Sequence, residues 1–343
     1  MLKKLFTFFF VPFFIFAAEE VGVSCLPDEC LFPSAGPRVC NGANYFITAD
    51  YLYWTAREEG LSFATTGVKN NLPENPDEGR VYKPRFRYDS GFKFGLGASL
   101  PHDGWDLFAE YTWFHGGAGR QKVSTDRIFP TMQRLWFTGG DLSLFFLPRE
   151  ADGRFHLQFN VVDLSLGRNF FTSKYFSMRP HIGFKGTWQN QDLLIRYITI
   201  DNALIERNER IHVQQFFWGV GMRGGVDFTF HFNPYWAFFG RGSLSGLWGR
   251  FESERRDRQF ENDLQQVMLD NVNDFHSLKP VLELMTGLRA DLWFCDYQYH
   301  LGLEVGFEQQ IWWSQGMFYR FIEGEAHGSL TLQGLTVKLR FDF

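Results

Sequence analysis

Three glycines in this chain match a pattern that binds nucleotides in other proteins. Gly219, Gly221 and Gly224 follow the dinucleotide-binding pattern G-x-G-x-x-G. That pattern works at a turn that opens into a helix. Here the glycines lie within a run that alternates apolar and polar residues, as a strand does. Small residues inside a strand leave space beside it, so the sequence argues against a nucleotide site.

The histidines and serines show no catalytic spacing. None of the nine histidines occurs in an H-x-x-x-H or H-E-x-x-H pattern, so a metal hydrolase is not indicated. A serine acyl-transfer site needs a base within hydrogen-bond reach of its nucleophile. Leu244-Ser245-Gly246 has no histidine near it in sequence. We therefore expect no enzyme activity, no metal and no cofactor.

The N terminus reads as a secretory signal peptide over residues 1–18. Lys3 and Lys4 supply its positive end, and the apolar run from Leu5 to Phe16 is too short to span a membrane. The mature chain is expected to be exported. We predict a periplasmic segment rich in cysteine and proline at 19–44 and the main domain at 45–343.

Export changes the interpretation of the cysteines. Disulfides are the default in an oxidising compartment, so Cys25, Cys30, Cys40 and Cys295 are disulfide candidates. The bonds could form within the chain or to neighbouring envelope proteins. Zinc is a weaker alternative, because no histidine pair accompanies the Cys25–Cys30 spacing.

The elements of the main domain follow from a period of two. From Leu335 to Phe343 every odd position is apolar and every even position is polar, which predicts a strand with one apolar face. A change of phase near Val161 predicts a β-bulge. The segments with this alternation are 45–54, 90–100, 105–115, 155–167, 176–188, 215–232, 236–248, 278–294, 299–313 and 330–343.

Short and long connections alternate between these segments. The short ones are 101–104, 168–174, 231–235 and 295–298; the long ones are 67–85, 116–153, 189–210, 252–276 and 314–326. A transmembrane barrel has an even number of strands, tight periplasmic turns and long extracellular loops. The sequence therefore predicts an all-β, antiparallel transmembrane β-barrel. It would have ten strands, or twelve if 116–153 hides a hairpin.

Composition agrees with a barrel and leaves a large soluble β-sandwich as the alternative. The chain has 41 phenylalanines and 19% aromatic residues. After the N terminus it has no apolar run of the roughly 18–20 residues that a transmembrane helix needs. The net charge of −5 is mild and suggests no nucleic-acid or other polyanionic partner. We expect the charged stretch 252–276 to be a solvated outer loop with a helical turn near 264–268.

The polar face of the predicted strands carries many charges. They either fill a barrel interior by pairing with one another or line a water-filled lumen that selects solutes. The candidate pore-lining residues are Lys93, Glu110, Arg179, His181, Lys185, Arg223, Asp227, Arg241, Glu283, Arg289, Asp291, Glu304, Glu308, Lys338 and Arg340.

Three stretches resemble the major outer membrane protein-like porins of chlamydiae-related and Legionella-type bacteria. They are TADYLYWTAREEGLSFA at 48–64, FNVVDLSLGRNFFTSKYFSMRPHIGFKGTW at 159–188 and the terminal LQGLTVKLRFDF. The resemblance implies an abundant outer-membrane barrel that is often pore-forming and sometimes disulfide-linked. A final strand that ends in phenylalanine is also typical of outer-membrane barrels. It makes Leu339, Phe341 and Phe343 a candidate signal for the barrel-assembly machinery.

The function expected from these observations is passive diffusion of small solutes across a bacterial outer membrane, together with a role in envelope structure. The alternative is a closed barrel that acts as a structural or adhesive surface protein. The expected partners are outer-membrane lipid, the assembly machinery, and further copies of the chain or disulfide-linked envelope proteins.

Overall fold

The computed structural model describes residues 35–37, 39, 44–66, 79–100, 103–125, 128–132, 148–200, 206–261, 264–295, 297–320 and 324–343. The predicted signal peptide and most of the segment 19–44, with Cys25, Cys30 and Cys40, lie outside this part of the chain. The described residues include no helix long and apolar enough to cross a membrane.

The described chain folds as β-strands. They are β1 (Tyr45–Glu58), β2 (Ala64–Thr66), β3 (Val81–Tyr82), β4 (Arg85–Phe86), β5 (Tyr88–Ser99), β6 (Trp105–Ser124), β7 (Ile128–Pro130), β8 (Glu150–Arg168), β9 (Phe170–Ser173), β10 (Phe176–Ile200), β11 (Glu206–His231), β12 (Trp236–Glu261), β13 (Leu264–Phe294), β14 (Tyr299–Arg320) and β15 (Gly324–Asp342).

Ten of these strands close into an antiparallel barrel. Each pairs with the next in the order β1, β5, β6, β8, β10, β11, β12, β13, β14, β15, and β15 returns to pair with β1. Closure leaves no sheet edge within the bilayer, where an unpaired backbone group would cost several kcal/mol. The first and last strands of the barrel meet at this seam, since the N–H of Tyr45 donates to the carbonyl oxygen of Phe343. The predicted barrel is confirmed, with ten strands.

The connections lie as predicted at one end and differ at the other. Four short connections occupy one end, and one of them contains β9, which pairs with β10. At the far end, 189–210, 252–276 and 314–326 were expected to be loops. Most of these residues instead continue the strands, since β10 reaches Ile200, β11 begins at Glu206, β12 reaches Glu261, β13 begins at Leu264, β14 reaches Arg320 and β15 begins at Gly324. The predicted helical turn at 264–268 is wrong as well, because these residues belong to β13.

The sequence does not predict these strand extensions, because hydrophobic alternation marks only the part of a strand that faces lipid. On β11 the outward side chains from Phe216 to Phe232 are mostly apolar, whereas beyond them Arg210, His212 and Gln214 face outward. A strand that leaves the bilayer needs no apolar outer face. Its period is then lost among polar residues on both sides.

The predicted β-bulge near Val161 is also wrong. β8 pairs in continuous register with β10 on one side. Towards β6 its register is likewise unbroken at this level. Side chains at Phe159 and Val161 point into the barrel, and those at Val162 and Leu164 point outward. The apolar face therefore changes from inside to outside at this level, with no residue inserted. The change of phase near Val161 in the sequence therefore marks a reversal of polarity along the barrel axis.

That reversal divides the barrel into two halves. In the half near the short turns, the outer surface is apolar and the interior is charged, as a membrane barrel requires. In the other half the interior is apolar, as in a soluble protein. Trp188 and Trp218 lie opposite each other near the boundary and project outward, which is typical of an interfacial aromatic girdle.

Candidate functional site in the barrel interior

β10 shows the order of layers inside the barrel. Its inward side chains begin with Arg179, His181 and Lys185, continue with Thr187, Gln189 and Gln191, and end with Leu193, Ile195 and Tyr197. The interior thus passes from a charged layer through an amide layer to an apolar layer. The alternation of a strand places all of these side chains on one face.

The charged layer contains every residue that the sequence suggested as pore-lining. Most of them surround a cavity of about 150 Å³. The remaining two, Lys185 and Asp291, are buried beside it in ion pairs. Their location in the interior is a feature of the fold, and their role in conduction stays a prediction.

Oppositely charged side chains in this layer pair across the lumen. Lys93 Nζ lies 2.7 Å from Glu308 Oε1. Lys338 Nζ lies 3.1 Å from Glu110 Oε2. Each of these pairs joins strands that are not neighbours in the sheet. Such contacts fix the width of the barrel as well as its charge.

Shared charges link the pairs into a network. Lys185 Nζ lies 2.8 Å from Asp163 and 2.9 Å from Glu283. Arg223 also reaches Glu283, at 2.9 Å, and Arg241 lies 2.6 Å from Glu304. A buried charge is tolerated when it is paired and hydrogen-bonded. The acidic and basic side chains of this network neutralise one another.

The amide layer holds a bend of β14 inside the barrel. The register of β14 against β15 shifts between Trp312 and Gly316, and Ser314 has a positive φ of 50°. β13 stops pairing with β14 at Val281. The outer part of β14 therefore separates from β13, continues to pair with β15 from Gly316 onward, and turns over the lumen.

Side chains from other strands hold this bend in place. Gln215 Nε2 donates to the carbonyl oxygen of Gln315 at 2.7 Å, and its Oε1 accepts from the N–H of Met317 at 2.7 Å. Gln315 Nε2 donates to Gln189 Oε1 at 3.0 Å. The Lys279 ammonium donates to the carbonyl oxygen of Ser314 at 2.6 Å. We call these contacts the glutamine latch.

Apolar side chains cross the lumen beyond the latch. The rings of Phe159 on β8 and Trp312 on β14 lie edge to face with centroids 5.3 Å apart. These strands stand on opposite sides of the ten-strand barrel. Trp54 and Phe114 pack beside them at 5.8 Å. All four side chains are buried and belong to one hydrophobic cluster, so this part of the barrel is a packed apolar core.

A small sheet covers the core from the extracellular end. β2 pairs with β3 and β7 outside the barrel wall. Two contacts tie the covering segments to inward residues of the wall. Tyr197 OH donates to the carbonyl oxygen of Phe63. Arg255 donates to the carbonyl oxygen of Met132 at 2.6 Å. Leu61 and Phe63 are buried beneath this cap.

Glu58 lies under the cap at the end of β1. It is 3% exposed, and burial raises the pKa of its carboxyl group well above its usual range, with Glu59 adding to the effect. The group lies above the aromatic girdle, in the part of the barrel outside the membrane.

Sequence reasoning missed the residues that close the lumen. Phe159, Trp312, Gln189, Gln215 and Gln315 carry no motif, and their partners lie far away in the chain. The change of phase in β8 was the available signal, since it marks where the interior becomes apolar.

The residues considered for other chemistry take structural places. Gly221 lies inside β11, where an added Cβ would overlap the carbonyl oxygen of Gly246. Ser245 faces the interior, and its hydroxyl hydrogen-bonds to no described residue. Cys295 is exposed in the turn between β13 and β14 and forms no disulfide with a described residue.

Comparison with solved structures finds proteins of low sequence identity. The outer membrane protease OmpT from Escherichia coli aligns at 10% identity with a TM-score of 0.44, covering 88% of this chain and 98% of that chain. A Pseudomonas aeruginosa FadL homologue aligns at 8% identity with a TM-score of 0.29, covering 89% and 90%. The Pseudomonas putida toluene transporter TodX aligns at 8% identity with a TM-score of 0.24, covering 88% and 90%. A comparison with curated proteins finds no match.

The family is shown by the sequence itself. Residues 37–343 match the family model described as Legionella pneumophila major outer membrane protein precursor. The match covers the whole barrel, including the terminal strand and the β8–β10 region that carried the resemblance. With a closed antiparallel barrel and a lipid-facing apolar band, the chain belongs to this family of outer-membrane proteins.

Proposed function

We propose that the chain is an outer-membrane barrel with a closed lumen and a structural role in the envelope. The observation that carries this proposal is the contact between Phe159 and Trp312 across the barrel at 5.3 Å. A packed apolar layer holds no continuous file of water, and ions do not cross it. Of the two functions expected from the sequence, the geometry therefore favours the closed barrel.

The charged layer supports the same proposal. Its ion pairs join strands across the barrel and balance one another. They neutralise the interior of the membrane-embedded half around a cavity of about 150 Å³. The family description as a major outer membrane protein agrees with an abundant component of the envelope.

Passive diffusion of small solutes is the second candidate. The cavity of about 150 Å³ among the charged side chains favours it, because mixed charges around water-sized space are what a selective lumen contains. Solutes would cross only after the bend of β14 and the aromatic layer had moved. In this proposal the residues named as pore-lining line an inner chamber.

Solute uptake into proteoliposomes tests the two candidates. We expect vesicles that contain the wild-type chain to admit small sugars no faster than protein-free vesicles. The triple variant Phe159→Ala/Trp312→Ala/Gln215→Leu should admit them faster, because it removes both rings that meet across the lumen and two hydrogen bonds that hold the bend of β14. Rapid uptake through the wild-type chain would establish the porin function and reject the closed barrel.

Membrane assembly completes the proposal. Leu339 and Phe341 project from the outer face of β15, and Phe341 stacks on Phe343 at 5.8 Å. We propose that this terminal apolar row is the segment that the barrel-assembly machinery recognises. The exposed Cys295 is available for a disulfide to a neighbouring envelope protein or to another copy of the chain. Disulfide-linked species on non-reducing gels that disappear in Cys295→Ser would support that assignment.

A further inference from the structure

Three arginines stand side by side on the outer wall of the barrel. Arg196 on β10 lies directly opposite Arg210 on β11, and Arg210 lies directly opposite Arg258 on β12. Arg154 on β8 lies opposite Leu194, two positions from Arg196. All four side chains point away from the lumen, because each follows the outward phase of its strand. We call Arg196, Arg210 and Arg258 the arginine row.

No carboxylate of a described residue forms an ion pair or hydrogen bond with the arginine row. Two acids lie near it, but both already have partners. Asp152 on β8 lies directly opposite Arg196 and in the wall of the same groove, but its carboxylate lies 2.7 Å from Arg120. Asp192 lies 2.7 Å from His212. The outer arginine Arg250, by contrast, is paired with Asp274.

The row faces a groove with a defined shape. The space has a volume of about 440 Å³ and includes His212 and Phe260 in its wall. The Arg210 guanidinium lies 4.8 Å from the ring centre of Phe260, which limits its freedom. Arg196 Nε is shielded from solvent and has no hydrogen-bond partner among the described residues. This N–H group could therefore donate a hydrogen bond to a ligand in the groove.

Like charges directly opposite each other destabilise a sheet. Three aligned arginines therefore cost stability unless an anion lies between them. The guanidinium group favours phosphate and carboxylate, which accept two parallel hydrogen bonds from its planar fork. The chemistry of the groove thus selects a ligand with closely spaced anionic groups. The mild net charge of the whole chain gave no sign of this local field.

The height of the row narrows the choice of ligand. Arg196 and Arg210 each lie eight residues beyond Trp188 and Trp218 of the girdle. At the usual rise and tilt of barrel strands this is about 20 Å above the interface. Phospholipid head groups lie at the girdle itself. The groove also faces sideways over the outer leaflet, where the neighbours are the head groups of other membrane molecules.

We propose that the arginine row binds phosphate or carboxylate groups on the saccharide of an outer-leaflet glycolipid. The guanidinium groups of Arg196, Arg210 and Arg258 would each donate to an anionic oxygen in the groove. Binding would place a glycolipid against the wall of β10, β11 and β12 and neutralise the aligned charges.

Binding of purified lipopolysaccharide to the full-length chain in detergent tests this proposal. We expect the variant Arg196→Gln/Arg210→Gln/Arg258→Gln to bind at least tenfold more weakly, since it loses three charge-assisted hydrogen bonds. The matched control Arg57→Gln/Arg85→Gln/Arg250→Gln removes the same charge from exposed sites outside the groove. It should change the affinity less than twofold. Equal binding by the wild type and the groove variant would overturn the proposal.

Two further measurements separate a binding role from a structural one and identify the source of the anion. The groove variant should unfold at the same temperature as the wild type or higher, because like-charge repulsion is relieved. A large loss of stability would instead give these arginines a structural role and overturn the proposal. Dephosphorylated, de-esterified saccharide lacking acidic sugars should not compete with lipopolysaccharide. Tight binding of heparin without binding of lipopolysaccharide would assign the groove to a soluble polyanion and reject the glycolipid.

Discussion

Two adjacent tryptophans carry opposite structural roles in β14. Trp312 is fully buried at the centre of the lumen, and Trp313 is 37% exposed on the outer side. Trp312→Ala should lower the free energy of unfolding by about 3–5 kcal/mol, as truncation of a large buried aromatic residue does. Trp313→Ala is the matched control and should cost much less. Urea titration of both variants in detergent gives the comparison, and equal losses would contradict a packed lumen.

Trp312 and Trp313 differ in burial because their side chains point to opposite faces of β14. The sequence predicts these directions only in part. Leu301, Leu303 and Val305 alternate correctly along β14. The bend after Trp312 changes which residues are covered. The bend depends on hydrogen bonds that join Gln315 to Gln189 and Gln215, which precede it in the chain by 126 and 100 residues. Local periodicity contains no information about such contacts.

Glu58 makes the stability of the cap depend on pH. Its pKa is raised in the folded chain, so the unfolded chain releases this proton at a lower pH than the folded chain does. The free energy of unfolding is therefore highest at low pH. It falls as the pH rises above the pKa of Glu58 in the unfolded chain, about 4.3. Glu58→Gln should raise the melting temperature more at pH 8 than at pH 5. A difference that is the same at both values would mean that the carboxyl group is not buried in the neutral form.

At the scale of elements, the bend of β14 is the device that separates this barrel from an open one. A strand that remained in the wall would continue to pair with β13 beyond Val281 and leave the lumen clear. Instead the glutamine latch attaches the bend to β10 and β11 from inside. We expect the bend to move only when these hydrogen bonds break.

Gln215→Leu tests the latch because it removes the bonds to the carbonyl oxygen of Gln315 and to the N–H of Met317. At about 1 kcal/mol for each net hydrogen bond, the amide of Met317 should exchange with solvent at least tenfold faster. Gln214→Leu is the control, since Gln214 faces outward and donates to Asp192. Hydrogen exchange followed by mass spectrometry reports both variants. Unchanged exchange in Gln215→Leu would show that the bend is held by other contacts.

The ten strands and their order were predictable from the sequence because lipid imposes a strict period on the membrane-facing half. The extensions of β10 to β15 were not, because water imposes no period on the outer half. For the same reason, the charged segment of β12 and β13 reads as a loop. Cross-strand pairing between Arg250 and Asp274 organises it as a hairpin, and such pairs are visible only once the register is known.

At the scale of the whole molecule, the barrel combines two kinds of protein along one axis. The membrane half has an apolar exterior and a neutralised charged interior. The outer half has a polar exterior, an apolar core and a covering sheet. The closed layer lies near this junction, where the interior becomes apolar and the exterior becomes polar.

Single-channel current through the wild-type chain in a planar bilayer is the most direct test of this closed lumen. The protein would be shown to be folded by its heat-dependent migration on gels, and the current recorded at high salt. We expect no discrete steps from the wild type and discrete steps from Phe159→Ala/Trp312→Ala/Gln215→Leu, which lacks both rings and two bonds of the glutamine latch. Reproducible openings of the wild type at low voltage would contradict the packed layer as a barrier and establish a conducting pore.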